Sequence, residues 1–337
     1  MDTGIIWDEA YSEHATGVHP EAADRIATIV CHLQGSDLWS HLKSVKPTTA
    51  TEDDVLLIHT PAHLQRIRRA AESGGEWLDG DTHVSDRSYE IALLAIGGAL
   101  DIIGQWEQGV APFALVRPPG HHATPDQAMG FCLFNNIAIT AATLLEQGME
   151  RVAIVDWDVH HGNGTQDAFY ADPRVLFVSM HEWPHYPGTG WIDECGSGAG
   201  KGFTVNVPLP SKCGDGDYGH AFDEVVIPVV RQFAPEALLV SAGQDVHADD
   251  PLGGMALTEA GFGHMAGRLA GLAREVCDGR LGFVLEGGYD PRASARSVEA
   301  VLRAVIEESV PAVGPAGIGG VDAVARAAGA QKPFWTL

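Results

Sequence analysis

Val152-Ala153-Ile154-Val155-Asp156-Trp157-Asp158-Val159-His160-His161-Gly162-Asn163 is the stretch whose reading decides this chain. It opens as a continuous apolar run, the pattern of a strand buried on both faces of a parallel sheet. Polar residues then arrive together, with Asp158 and His160 two positions apart. Alternate residues of an extended segment share a face, so these two side chains can grip one metal ion. A buried carboxylate is expensive unless it is paired or coordinates a metal. Asp with His, and no thiolate nearby, suits a borderline divalent ion such as Zn²⁺ that keeps a position open for water. Read alone, however, the pattern fits a satisfied polar strand end equally well.

Three further apolar runs end in chemistry. Phe113-Ala114-Leu115-Val116 leads into Arg117-Pro118-Pro119-Gly120-His121-His122, where Pro and Gly stop the strand and leave two imidazoles in a loop. Ala237 to Ser241 breaks at Gly243 and delivers Gln244 and Asp245, a carboxylate that can complete the metal site. Leu281 to Leu285 runs into Glu286-Gly287-Gly288-Tyr289, whose glycines allow close approach and aim a phenol inward. Loops at strand ends of α/β sheets are where ligands bind.

The remaining strand candidates are Gly4 to Trp7, Val175 to Met180 and Phe203 to Val207. Helix-like stretches fall at Ser88–Gln108, Asn136–Gln147, Tyr218–Phe233, Thr258–Val276 and Ala293–Glu308. This β-α alternation, without a charged or low-complexity linker, predicts one doubly wound α/β domain over 1–337. Residues 311–337 are expected to be a peripheral C-terminal segment. No run is long enough to span a bilayer, and the N-terminus lacks a basic start before an apolar core, so a soluble cytoplasmic protein is expected. Five cysteines without a C-x-x-C pair indicate neither a disulfide framework nor a zinc knuckle. With 21 basic and 45 acidic residues, the charge of −24 speaks mainly to solubility. It also repels nucleic acid and favours cationic substrates.

In this order, R-P-P-G-H-H, G-F-C-L-F-N-N, D-W-D-V-H-H-G-N-G-T, Y-P-G-T-G, S-A-G-x-D and L-E-G-G-Y make the chain, from about Tyr11 to Tyr289, resemble the zinc-dependent histone deacetylase family of the arginase/deacetylase superfamily. D-W-D and H-H-G-N-G look like its class II branch and the bacterial histone deacetylase-like amidohydrolases. The resemblance implies a central, mainly parallel sheet of about eight strands with helices on both faces, and hydrolysis of acyl-amines. It implies Zn²⁺ on Asp158, His160 and Asp245, His122 as general base and acid, His121 held by Asp156 beside it, and Tyr289 stabilising the oxyanion. Asn163 would orient His122 as a neutral amide, where class I members carry aspartate. Phe131 and Tyr186, with Gly130 and Leu252, would line a narrow acyl-lysine tunnel, and Asp81 would be a rim acid. Arg25 resembles an arginine near an internal acetate exit, with a surface ion pair as the alternative. The family also implies K⁺ near the zinc at Asp156, Asp158, His160, Ser179 and Met180, and a remote alkali-ion site at Phe169, Asp172 and Val175.

Leu252 occupies the gatekeeping position where a polyamine-selective branch carries glutamate, which argues for acetyl-lysine-like substrates over acetylpolyamines. An acetylpolyamine amidohydrolase, a non-catalytic binding protein on this fold and an arginase-like dimanganese hydrolase stand as alternatives. The full set of catalytic residues counts against the second. The third would want D-x-H-x-D, whereas Asp156-x-Asp158-x-His160 supplies one metal's ligands. No nucleic-acid or membrane partner is expected, and homo-oligomerisation is left open.

Overall fold

The computed structural model describes residues 2–337. Ten strands form in chain order: β1 (Asp2–Ile6), β2 (Leu42–Val45), β3 (Gly75–Trp77), β4 (His83–Ser85), β5 (Val110–Ala114), β6 (Val152–Asp156), β7 (Val175–Glu182), β8 (Thr204–Leu209), β9 (Ala237–Ala242) and β10 (Leu281–Leu285). Eight of them pair in parallel in the order β2-β1-β5-β10-β9-β6-β7-β8, while β3 and β4 form a separate antiparallel hairpin. β5 to β10 are each buried along their whole length, which is why their sequences read as continuous apolar runs.

Helices cover both faces. α1 (Asp24–Gln34), α2 (Glu52–Val55), α3 (Pro61–Glu72), α4 (Ser88–Trp106), α5 (Asn136–Glu146) and α6 (Asn163–Phe169) precede α7 (Asp215–Ala221), α8 (Ile227–Phe233), α9 (Glu259–Val276), α10 (Pro291–Ile306) and α11 (Ile318–Gln331). α1, α7, α8, α9, α10 and α11 pack into one layer, and α2 to α6 into the other. Caps set several starts: Asn135 accepts the Ala138 amide before α5, and Asp290 accepts that of Ala293 before α10, where Pro291 takes the first turn. Each cap replaces water on an amide that the helix cannot pair.

Two expectations change in detail. The stretch Tyr218 to Phe233 is helical throughout, but a π-helical turn at Phe222–Val226 interrupts the α geometry between α7 and α8. Residues 311–337 lie at the sheet's edge as a packed element: α11 buries Ala323, Val324 and Ala327 against β8, Gln331 Nε2 donates to the Thr204 carbonyl, and the Trp335 indole donates to that of Gly202. Covering β8 in this way hides its unpaired edge. Among the described residues, no helix is long and apolar enough to cross a membrane.

The topology explains why distant motifs meet. β5, β10, β9 and β6 are adjacent at the centre of the sheet and parallel. Their C-terminal ends, which carry the His121–His122 loop, Tyr289, Asp245 and Asp158–His160, therefore open onto one place.

Candidate active site

β6 ends at Asp156, so Asp158 and His160 stand on the bends beyond it and not on an extended strand. The sharing of one face has another cause. Asp156 Oδ1 accepts the Asp158 amide at 3.0 Å, and Asp158 Oδ1 accepts the His160 amide at 2.9 Å, so two successive Asx turns aim the side chains together. Asp245 arrives from β9 with Oδ1 accepting the Val159 amide at 2.9 Å, and Gly287, beyond β10, donates its amide to Asp158 Oδ2 at 2.8 Å. A Cβ at Gly243 would collide with Asp158, and one at Gly287 with both carboxylates, so the backbone must be bare there.

Ligand atoms of Asp158, His160 and Asp245 lie within 4.8 Å of one another, and all three residues are buried. The donor set is two carboxylates and an imidazole, and Asp245 Oδ2 is buried without a hydrogen bond, 3.3 Å from His160 Nδ1. Burial and the neighbouring Asp158 push Asp245 up to about 7. Burial also opposes charge on His160, yet Asp158 and Asp245 outweigh it and drive the ring up to about 10. The cluster thus demands positive charge, and a divalent cation fits it in charge and ligand type.

The two imidazoles of the β5 loop differ. His121 Nδ1 donates to Asp156 Oδ2 at 2.9 Å; against the pull of burial, Asp158 and Asp156 raise it to about 10. His122 Nδ1 donates to Asn163 Oδ1 at 2.8 Å, and burial, with His121 and His160 beside it, holds His122 well below the usual histidine range. A neutral amide orients the ring without adding charge that would favour protonation. Glu286 fixes this loop from β10, accepting the amides of Gly120 and His121 at 2.7 and 3.1 Å and the Ser241 hydroxyl at 3.0 Å. Nothing local in the sequence assigns Glu286 that task; its only signal is a carboxylate directly after a buried strand.

A pocket of about 220 Å³ opens above, lined by Asp81, His122, Gly130, Phe131, His160, His185, Tyr186, Leu252 and Tyr289. The tunnel residues named from the sequence are therefore together, joined by His185, which sequence reading did not single out. Phe131 and Tyr289 meet edge-on at 5.6 Å, as do His122 and Tyr186 at 5.1 Å. Gly130 is at φ +54° with its Cα against the His122 ring, where a Cβ would collide, and Phe131 follows at φ +69°. Hollows of about 370 Å³ beside α1 and 440 Å³ under Trp335 are larger but hold none of the metal-ligating residues. Chemistry, not volume, marks the site.

Arg25 is not a surface ion pair. It is 1 % exposed, donates from Nε to the Gly288 carbonyl at 2.7 Å and from Nη2 to that of Glu286 at 2.6 Å, and lies 5.0 Å over the Tyr289 ring. Glu21 pairs with both Arg25 (3.2 Å) and Arg117 (2.6 Å). Gln244 donates from Nε2 to the Ala242 carbonyl at 2.8 Å, while its Oε1 is buried without a partner. Asp156 and Ser179 stand opposite each other in the β6–β7 register, with Met180 next. Phe169 ends α6, and Asp172 turns its carboxylate onto Arg174 before Val175 opens β7.

The histone deacetylase domain profile matches residues 19–305. Over 298 residues, 86 % of this chain and 82 % of the relative, the sequence is 44 % identical to the "Probable deacetylase" of Archaeoglobus fulgidus. It is 40 % identical to "Histone deacetylase 10, chloroplastic" of Oryza sativa subsp. japonica, covering 88 % of this chain and 71 % of that one. The crystal structure of the HDA15 HD domain superposes with a TM-score of 0.92 at 35 % identity, over 99 % of this chain and 95 % of that one. Family, fold and the convergence of motifs agree, and the chain belongs to the histone deacetylase family, as a hydrolase of acetyl amides.

Proposed function

We propose that this chain is a zinc-dependent deacylase of N-acetyl-lysine-like amides. The observation that carries this is the convergence of Asp158, His160 and Asp245 with His122 and Tyr289 at the foot of one narrow pocket. Zn²⁺ held by those three residues would supply Lewis acidity, polarising the acyl carbonyl and making water a better proton donor near neutral pH.

The chain's own groups do the rest. His122 commits its Nδ1–H to Asn163, which leaves the lone pair on Nε2. Nε2 takes the proton of the attacking water and later delivers it to the leaving amine. His121, charged against Asp156, adds positive potential beside it. The Tyr289 hydroxyl donates to the carbonyl oxygen as charge develops there, a role typically worth ~3 kcal/mol per donor. The C–N bond breaks to give a carboxylate and a free amine. Phe131 and Tyr186 hold the methylene chain between aromatic faces, and Leu252 closes the wall with an apolar side chain.

We assign a K⁺ ion to the oxygen-rich shell of Asp156, Asp158, His160, Ser179 and Met180, and a second alkali ion to the backbone around Phe169, Asp172 and Val175. Hard oxygen ligands suit such ions. Five free cysteines accord with a reducing, cytoplasmic setting.

Hydrolysis of small acylated polyamines is the second reading, and Asp81 favours it: this acid lines the pocket, and its carboxyl is raised by burial and by neighbouring Asp79. Glu182 gives it less support, since its carboxylate turns to the Gly254 amide at 2.7 Å. A panel of acetyl-lysine peptides, acetylputrescine, acetylspermidine and longer acyl-lysines tests both. The first reading expects kcat/KM on acetyl-lysine at least equal to that on acetylpolyamines; a preference of about tenfold or more for acetylspermidine reverses the order.

A further inference from the structure

Asp250 is a 7 % exposed carboxylate that the scheme above does not use. Its two oxygens serve two different parts of the tunnel. Oδ1 accepts the Leu252 amide at 2.9 Å, closing the turn that sets the gate residue. Oδ2 accepts the Tyr289 amide at 2.6 Å and the Asp290 amide at 3.3 Å, reaching 39 residues along the chain. Bonds from amides to an ionised carboxylate are about twice as strong as neutral ones, and these lie where little water competes.

The peptide before Tyr289 is gripped on its other side by Arg25, through the Gly288 carbonyl. Gly288 adopts φ +123°, a region reserved for glycine, so the backbone leading to Tyr289 has no side chain of its own to limit rotation. Its direction is set from outside, by a cation on the carbonyl side and an anion on the amide side. Leu252 and Tyr289 both line the pocket.

We propose that Asp250 is a positioning residue that fixes the Tyr289 hydroxyl and ties it to the Leu252 gate, so that a substrate chain filling the tunnel against Leu252 also sets the oxyanion donor. This rests on the reading of Tyr289 as that donor. A carboxylate that merely closed a loop would lower stability without any special link to Tyr289.

A double-mutant cycle on zinc-loaded enzyme with an acetyl-lysine peptide separates the two. Asp250→Asn is expected to lower kcat by roughly 10- to 100-fold, with about one zinc still bound per chain and KM within about threefold. In a Tyr289→Phe background the same change is expected to cost less than about twofold, because no hydroxyl remains to be aimed. Losses that multiply fully, or an unchanged kcat in Asp250→Asn, overturn the inference. An unchanged kcat in Tyr289→Phe alone overturns the oxyanion reading, and this inference with it, and is recognised by that single mutant. If Asp250→Asn does not fold, Leu252→Pro, which removes the amide hydrogen Asp250 holds, is compared with Leu252→Ala, which keeps it. A kcat roughly fivefold lower in the proline variant, absent in the Tyr289→Phe background, supports the coupling; equal kcat values overturn it.

Discussion

At the floor of the site the chemical groups are cross-braced between strand ends. Asp158 bonds to its own loop, to Gly287 beyond β10 and to His160; Asp245 bonds across to Val159; His121 is held by Asp156 and, through its amide, by Glu286. The mouth is built otherwise. Tyr186 is 38 % exposed, and Asp81 is tied mainly through its backbone, to Asp79 Oδ1 and His19. A floor determined by redundant bonds fixes which bond is broken. A loosely tied mouth sets which amine is admitted, and away from the Leu252 turn that Asp250 bonds to Tyr289 it can change without touching the chemistry.

The largest effect should come from breaking the floor at its least compensated point. Asp245→Ala removes the carboxylate whose Oδ2 has no other partner, and is expected to abolish stoichiometric zinc binding and take activity to background. Metal analysis and steady-state kinetics check it. Full activity in zinc-free protein, or two equivalents of manganese in the active form, would refute the single-zinc site. Tyr289→Phe follows, with kcat expected to fall by ~10²-fold or more while zinc and substrate still bind. That change leaves every floor ligand in place, so an unchanged kcat would mean the oxyanion is stabilised elsewhere.

At the mouth, a side-chain change at Leu252 that keeps the amide held by Asp250 is expected to move preference more than rate. Leu252→Glu puts a carboxylate against the tunnel, where at an effective dielectric of about 20 an ammonium 4 Å away gains up to ~4 kcal/mol. Part of that is lost to desolvating the acid, so a shift of roughly tenfold in the acetylspermidine to acetyl-lysine ratio of kcat/KM is expected. An unmoved ratio would show that the cation is read farther out, at Asp79 and Asp81.

The division also explains what was legible in the sequence. The central strands were, because burial on both faces writes a continuous apolar run, and so was the convergence of polar groups at the floor, because each of these strand ends carries its polar side chains within a few residues. The Leu42–Val45 edge strand was not: its two middle residues are exposed, and it looks like a loop. α11 was not, because its small residues resemble a linker until Ala323, Val324 and Ala327 meet β8. Glu286 and Asp250 were missed for another reason. Their partners are backbone amides 166 and 39 residues away, and an amide carries no mark in a sequence. His185 gave no pattern, since a ring packed 4.9 Å from His160 is a fact of the fold alone.

The smallest expected effect tests what anchors the wall of the mouth. The segment carrying Gly130 and Phe131 is tied down at both ends by His59, whose Nδ1–H donates to the Thr124 carbonyl at 3.0 Å while Nε2 accepts the Asn135 amide at 2.8 Å. That arrangement needs a neutral ring, since a proton on Nε2 would face the Asn135 N–H. Burial, and then the nearby His63, pull His59 down to about 3 from an ordinary value of 6.5. The folded state therefore binds fewer protons than the unfolded one between these values. Stability from this group is complete above about pH 6.5 and is lost as pH falls toward 3, at up to ~1.4 kcal/mol per pH unit. His59→Gln cannot take up a proton, so its urea unfolding free energy should fall less steeply between pH 6.5 and 5 than the wild type's, although it starts lower at neutral pH. Parallel curves for the two proteins would show that the ring does not carry this dependence, and that the mouth's wall is anchored elsewhere.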